Sequence, residues 1–309
     1  MRRVDSAITS KVNEMKTILS AFILTLTIAT SAQARTEITQ DTACHVDMAN
    51  GDAANDGLTW ETAKANGQQC MDLISYKWDL AGGNASILYK DGQVDTYGIV
   101  YRGIVGVGEV HIESETCENK SEINVVGNEA EAMQGDMHKM AAYATWGSTN
   151  GVVRLKNIKL SNSGWGFGIL GNGPSWTDIG DGSPGGDSCV EFGTADHGHI
   201  DPAATGAIIL NRGDHKISGS APYHVSAGWG GFFMNDNMPH KITIVGNPQF
   251  SSFVLSWGGT LFLNNLTYSG AATGGKWMAV QNGIIYTGGK CANLPGSTLG
   301  AAYYGGQCQ

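Results

Sequence analysis

The chain has 309 residues, 44 of them glycine, with 41% apolar residues and a formal charge of −9. That length gives one large domain or two ordinary ones, with enough apolar residues for a core. Glycine without a Gly-X-Y period excludes collagen, and the body of the chain has no eighteen-residue apolar run of the kind a multi-span membrane protein needs. The acidic balance argues against a nucleic-acid partner, because phosphate neutralisation needs clustered Lys and Arg.

The first segment reads as a targeting signal. Met15-Lys16 precedes an apolar run over residues 18–29, and Ser31-Ala32-Gln33-Ala34 gives the small-residue ending that signal peptidase accepts. A secretory signal peptide over residues 1–34 is the reading, with residues 1–14 an extended n-region or an upstream start. A membrane anchor would need a longer apolar stretch, so no membrane span is expected once the signal is removed. Cleavage would remove Arg2, Arg3, Lys11, Lys16, Asp5 and Glu14, leaving 15 basic and 26 acidic residues, a formal −11.

All six cysteines follow that point: Cys44, Cys70, Cys117, Cys189, Cys291 and Cys308. An even count in an exported chain reads as disulfides, whereas zinc would favour Cys-x-x-Cys spacing, which is absent. Loop closure near each end pairs Cys44 with Cys70 and Cys291 with Cys308, leaving Cys117 with Cys189.

Residues 35–84 read as an N-terminal strand followed by a capping helix. The helix is expected over residues 59–74, with Ala63, Cys70, Leu73 and Ile74 on one face. From residue 85 to residue 287 the pattern changes. Short apolar runs recur between Gly, Asn, Ser and Asp, at residues 87–89, 110–112, 123–126, 152–155, 207–210, 241–245, 260–263 and 283–286. These are strands bounded by turns. His215-Lys216-Ile217-Ser218 returns as His240-Lys241-Ile242-Thr243, Trp229-Gly230-Gly231 returns as Trp257-Gly258-Gly259, and residues 155–161 are echoed at 263–269. Steps of 25–28 residues without intervening helices suit a solenoid of stacked coils. The predicted fold is therefore all-β, a single-stranded right-handed parallel β-helix, with Asn157 and Asn265 at equivalent corners. Residues 288–309, closed by the last two cysteines, are expected to cap its end.

Two segments add a resemblance. His45-Val46-Asp47, Asn50-Gly51-Asp52 and Asn55-Asp56-Gly57-Leu58-Thr59-Trp60-Glu61-Thr62-Ala63 resemble the opening of pectate-lyase-like right-handed β-helix proteins. The last sixty residues, with Gly259-Thr260-Leu261-Phe262-Leu263, Gln281-Asn282-Gly283 and Leu294-Pro295-Gly296-Ser297, are similar to C-terminal coils of phage and prophage tail β-helix proteins. The resemblance implies a fold that hosts many functions, and many tail β-helices are trimers, so a homotrimer is among the expectations.

The expected interruption between coils, residues 171–204, is acidic. It holds Asp178, Asp181, Asp187, Glu191, Asp196, His197, His199 and Asp201. Asp178, Asp181, Asp187, Asp196 and His197 are the catalytic candidates of a polysaccharide lyase or glycoside hydrolase, with Arg154 or Arg212 as basic partner. Asp178, Asp181 and Asp187 are also calcium candidates, calcium being the one cofactor considered. The bland alternative is turn chemistry, as in Gly180-Asp181-Gly182. Neither the Arg-Pro-centred lyase motif nor the joint Asp-Asp and His-Gly motifs of polygalacturonase-like hydrolases are present. An extended His197-Gly198-His199 would set two imidazoles on one face as a weak metal pair with Asp196 or Asp201. Arg212-Gly213-Asp214 spells an adhesion tripeptide at a coil corner.

Trp229, Trp257, Trp277 and Tyr223 are the glycan-binding candidates, since exposed rings on a rigid β surface stack on sugars. Their alternative is an inward core stack. The sequence thus predicts a secreted, non-enzymatic β-helix for surface or glycan recognition. The alternatives are a polysaccharide-cleaving enzyme and a structural component of an extracellular or phage-derived assembly.

Overall fold

The computed structural model describes residues 34–127, 130, 136–147, 149–182 and 186–309. The expected signal peptide lies outside these residues, apart from Ala34. Residues 37–309 form one compact unit.

That unit is a parallel β-helix. Three parallel sheets run along it: sheet 1 has ten strands from Thr42–Val46 to Gln307–Cys308, sheet 2 has seven from Val94–Asp95 to Leu266–Ser269, and sheet 3 has eight from Ile99–Tyr101 to Ala301–Ala302. From Ala85–Tyr89 to Thr273–Val280 the chain visits them in the order 1, 2, 3 on each turn, so like side chains stack coil upon coil. On sheet 1 one inward row is Ala85, Val110, Val153, Thr177, Ile209, Phe233, Leu261, Ile285 and Cys308. On sheet 2 the row is Ile123, Leu160, Phe192, Ile217 and Ile244. On sheet 3 it is Ile99, Tyr143, Ile169, Ile200, Val225, Val254 and Trp277. Nearly all of these side chains are fully buried, each aliphatic one contributing about 1.5–3 kcal/mol against exposure.

Helix α1, Gly67–Lys77, covers the first coil with Cys70, Met71 and Ile74. It starts later than expected. The side chain of Asp56 accepts from Leu58 N and Thr62 Oγ1, holding residues 56–62 in turns that compete with a helix, and Asn66 then caps Gln69 N at 3.0 Å. Buried Asp95 accepts from Gly67 N and from the Tyr89 hydroxyl, both at 2.9 Å, fixing the helix start onto the coil below.

Two other expectations are corrected. Residues 171–204 are not an interruption: Ser175–Ile179, Asp187–Ala195 and Gly198–Pro202 supply one strand to each sheet, a complete coil. Their acidic residues had masked the alternation. The two His-Lys motifs are also offset from the true register by two residues, since His215 pairs with Ile242 and His240 with Leu266. The C-terminal segment is both cap and coil, with a short 3-10 turn at Cys291–Asn293 and strands that continue sheets 3 and 1.

The three disulfides are Cys44–Cys70, Cys117–Cys189 and Cys291–Cys308, as spacing and elimination indicated. They belong to an oxidising environment. No helix among the described residues is long and apolar enough to cross a membrane.

Candidate functional site: an aromatic groove on sheet 3

Upstream, the outer face of sheet 3 is covered. Helix α2, Met137–Met140, is capped by Asp136, and Met137 packs over Val100, Ala141, Ala144 and Leu170, with Phe167 and Ala203 at the margin. Beyond Phe167 the cover stops and the sheet opens into a groove of about 240 Å³. Its apolar lining includes Phe167, Ala203, Tyr223, Leu255, Trp229 and Trp257, while Asp201, Ser226 and His197 supply the side-chain polar groups.

Trp229 and Trp257 face solvent, 68% and 44% exposed, with ring centroids 6.1 Å apart. Their backbone is held from several sides. Trp229 N donates to Trp257 O at 3.1 Å, Thr205 Oγ1 donates to Trp229 O at 2.8 Å, and the Trp257 indole donates to the Gln281 side chain. Trp229 sits at φ 39°, a left-handed conformation that a bulky side chain disfavours by about 1–2 kcal/mol. The neighbouring coil compels that geometry.

Asp201 is the half-buried carboxylate of the groove. Burial pushes its carboxyl up to about 7, opposed by a hydrogen bond from Ser226. His197 packs edge-on against Trp165 at 4.2 Å, and its Nδ1 lies 3.3 Å from the exposed Asp196 carboxylate. Asp196 itself belongs to a neighbouring polar cleft of about 380 Å³, lined also by Asn162, Thr194, Ser220, Gln249 and Ser251. Groove and cleft together present hydroxyls, amides, rings and acids, and among the described residues no Lys or Arg lines either.

The catalytic candidates do not converge. Asp178 is only 1% exposed, on the outer face of sheet 1. Its Oδ2 accepts from Arg212 and forms an ion pair with Arg154, both at 3.0 Å, and its Oδ1 accepts from the Trp176 indole at 2.6 Å. Burial raises its pKa while those donors oppose the shift. Asp178 is thus a saturated structural acid. Asp181 pairs with Lys156 at 3.2 Å, and Asp187 accepts from Cys189 N beside the Cys117–Cys189 disulfide. The proposed calcium triad is therefore split between different elements. Asp187 with Cys117 and Cys189 is the one metal-sized cluster among the described residues, and both its sulfurs are spent in the disulfide. Glu191 is held by Ser218, Lys216 and Lys120, which outweigh burial and lower its pKa. In the Arg-Gly-Asp tripeptide, Arg212 is committed to Asp178, and Asp214 accepts from Lys241 N.

His199 is corrected more sharply. It does not join His197 on one face, because His197 lies in the turn before the strand while His199 enters the core. There its Nδ1 lies 3.2 Å from His224 Nδ1, and His224 Nε2 lies 3.1 Å from His215 Nε2. Trp277 is corrected as well. It continues the inward row of sheet 3 and lies under Gly300, where a Cβ would fall 2.1 Å from the indole. Trp229, Trp257 and Tyr223 do meet in one groove. Phe167, Ser226 and Leu255 were not foreseen; only the register of sheet 3 brings them there.

No family model, curated protein or solved structure matches this chain.

Proposed function

We propose that this protein is an exported glycan-recognition module that binds a sugar chain in the aromatic groove of sheet 3. The observation that carries the reading is the exposed Trp229–Trp257 pair, fixed on stacked turns beside a polar cleft. The two exposed rings, Trp229 held so under backbone strain, offer flat apolar faces for sugar C–H groups, and the cleft supplies hydrogen-bond partners for hydroxyls. The disulfides fit an oxidising destination, and the signal-like N-terminus would deliver the chain there. A cleaving enzyme is less well supported, because glycosidases pair two carboxylates across the scissile bond and, among the described residues, Asp201 alone supplies a carboxylate to this groove.

The test is titration of the oxidised protein with neutral and charged oligosaccharides by calorimetry, with polymer length followed by size-exclusion chromatography. Trp229→Ala and Trp257→Ala are each expected to weaken binding about tenfold, near the 1.4 kcal/mol of one lost stacking contact. Binding that both variants retain at full strength would overturn the assignment, and shortened polymer would favour the enzyme.

One observation supports the assembly reading. Toward the C-terminal end, the outer face of sheet 1 carries Phe232, Phe262, Ile284 and Tyr286, all exposed and in adjacent strands. Self-association along this stripe, as in a trimer, would bury it. Sedimentation equilibrium of wild type against Phe262→Lys separates the two, since a monomer in both rejects assembly.

A further inference from the structure

The groove has an unusual charge pattern for a sugar site. Among the described residues its one lining carboxylate is Asp201, beside Phe167, Tyr223, Trp229 and Trp257, and no Lys or Arg lines the groove. A uronic acid would face that carboxylate with no Lys or Arg to pair with. A neutral sugar would find few partners on the aromatic side, where polar groups are sparse. A cation, by contrast, is drawn both by a carboxylate and by the negative faces of aromatic rings, at about 0.5–2 kcal/mol per ring contact.

We propose that the groove selects an amino sugar, whose ammonium pairs with Asp201 while its ring stacks on the Trp229–Trp257 wall. This inference rests on the glycan-binding reading and adds the class of sugar. Only an unacetylated amine qualifies, because acetylation removes the charge and adds bulk. The same geometry gives the pH behaviour a sign. Burial pushes the Asp201 carboxyl up to about 7, and an arriving ammonium favours its charged form. The other titratable groups lining the groove are His197 and Tyr223, with Asp196 behind His197. Affinity is expected to fall on both sides of neutrality, at low pH as Asp201 loses its charge and at high pH as the sugar amine loses its own.

The test is calorimetry at pH 7.5 with a glucosamine oligomer, its N-acetylated counterpart and an oligolysine of equal charge. The glucosamine oligomer is expected to bind wild type at least tenfold more tightly than either comparator. Asp201→Asn should lower its affinity at least tenfold, whereas Asp181→Asn, which removes an exposed acid on another face, should leave it unchanged. Equal binding of the two oligosaccharides to wild type would overturn the amino-sugar inference and keep the glycan reading. Binding of neither would overturn both. Oligolysine as tight as the glucosamine oligomer would overturn the inference by reducing it to general attraction toward an acidic surface. The wild-type comparisons decide the matter even if Asp201→Asn does not fold.

Discussion

Residue by residue, the histidines show how far a buried network can be solved from hydrogen-bond polarity. Asn235 Nδ2 donates to the carbonyls of Asp236, Met238 and Asn264, so its Oδ1 accepts from Asn211 Nδ2 at 2.9 Å. Asn211 Oδ1 is then the acceptor for His215 Nδ1–H at 3.0 Å. His215 Nε2 must be bare and accept from His224 Nε2–H; His224 Nδ1 in turn accepts from His199 Nδ1–H. The relay ends at His199 Nε2, buried with no close hydrogen-bond partner among the described residues, while the Gly193 backbone near the ring opposes the fall in its pKa. All three rings are neutral. Burial lowers His199 and His215 to about 3 and carries His224 well below its usual value. Unfolded, each would titrate near 6.5. Each therefore contributes stability that is present above about pH 6.5 and lost as the pH falls toward 3, while the raised carboxyl of Asp201 works in the opposite sense. Imidazole nitrogen spectra should show these three rings unprotonated from pH 7.5 to 4.5, in the tautomers just derived. Titration of any of them near 6.5 would contradict the network.

Among the elements, the turn from sheet 3 to sheet 1 is the one that makes the groove. Trp229 and Gly230 both have positive φ, and Gly231 N closes the turn on Gly228 O at 2.8 Å. A Cβ on Gly231 would lie 1.8 Å from the Pro202 carbonyl of the coil below, so only glycine lets the coils approach. Two and three coils further on the corner returns, as Gln281-Asn282-Gly283 and Tyr304-Gly305-Gly306, each with positive φ at its first two positions. Tryptophan at the first turn position is thus retained against local preference. Trp229→Gly is expected to raise unfolding stability by about 1 kcal/mol while weakening glycan binding at least tenfold. Denaturant unfolding and calorimetry on the same variant check this; a loss of both stability and binding would give Trp229 a structural role instead.

For the whole molecule, coil-on-coil contact makes stability local. In a solenoid each coil leans on its neighbours alone, so the terminal disulfides should act on the ends and not on the middle. Replacing Cys291 and Cys308 by Ala is expected to speed amide exchange in the strands Ala301–Ala302 and Gln307–Cys308. The strands near Val153 and Ile209 should keep their protection. Uniform loss of protection would instead show one cooperative unit. The outer face of sheet 1 also changes along the axis. It runs from the charged ladder Glu109–Arg154–Asp178–Arg212 to the exposed Phe262 and Tyr286, a polarity that no single coil displays.

Periodic apolar runs, Asn and Gly at corners, and paired cysteines were enough to read a parallel β-helix, its end staples and the stacked Trp corners. Those features are local or repeat along the chain. Sheet 3 was mostly missed because strands such as Val225–Gly228 and Thr273–Val280 are rich in Ser, Ala and Gly and show little alternation. The acidic candidates misled for a related reason. A carboxylate's chemistry depends on what lies one coil away, and only the register puts Asp178 between two arginines and Asp201 among aromatic rings. Composition and spacing determined the repeating backbone. Tertiary stacking decided which side chains face each other across coils, and with them the groove, because that depends on coil-to-coil offsets that loop lengths set and no single strand encodes.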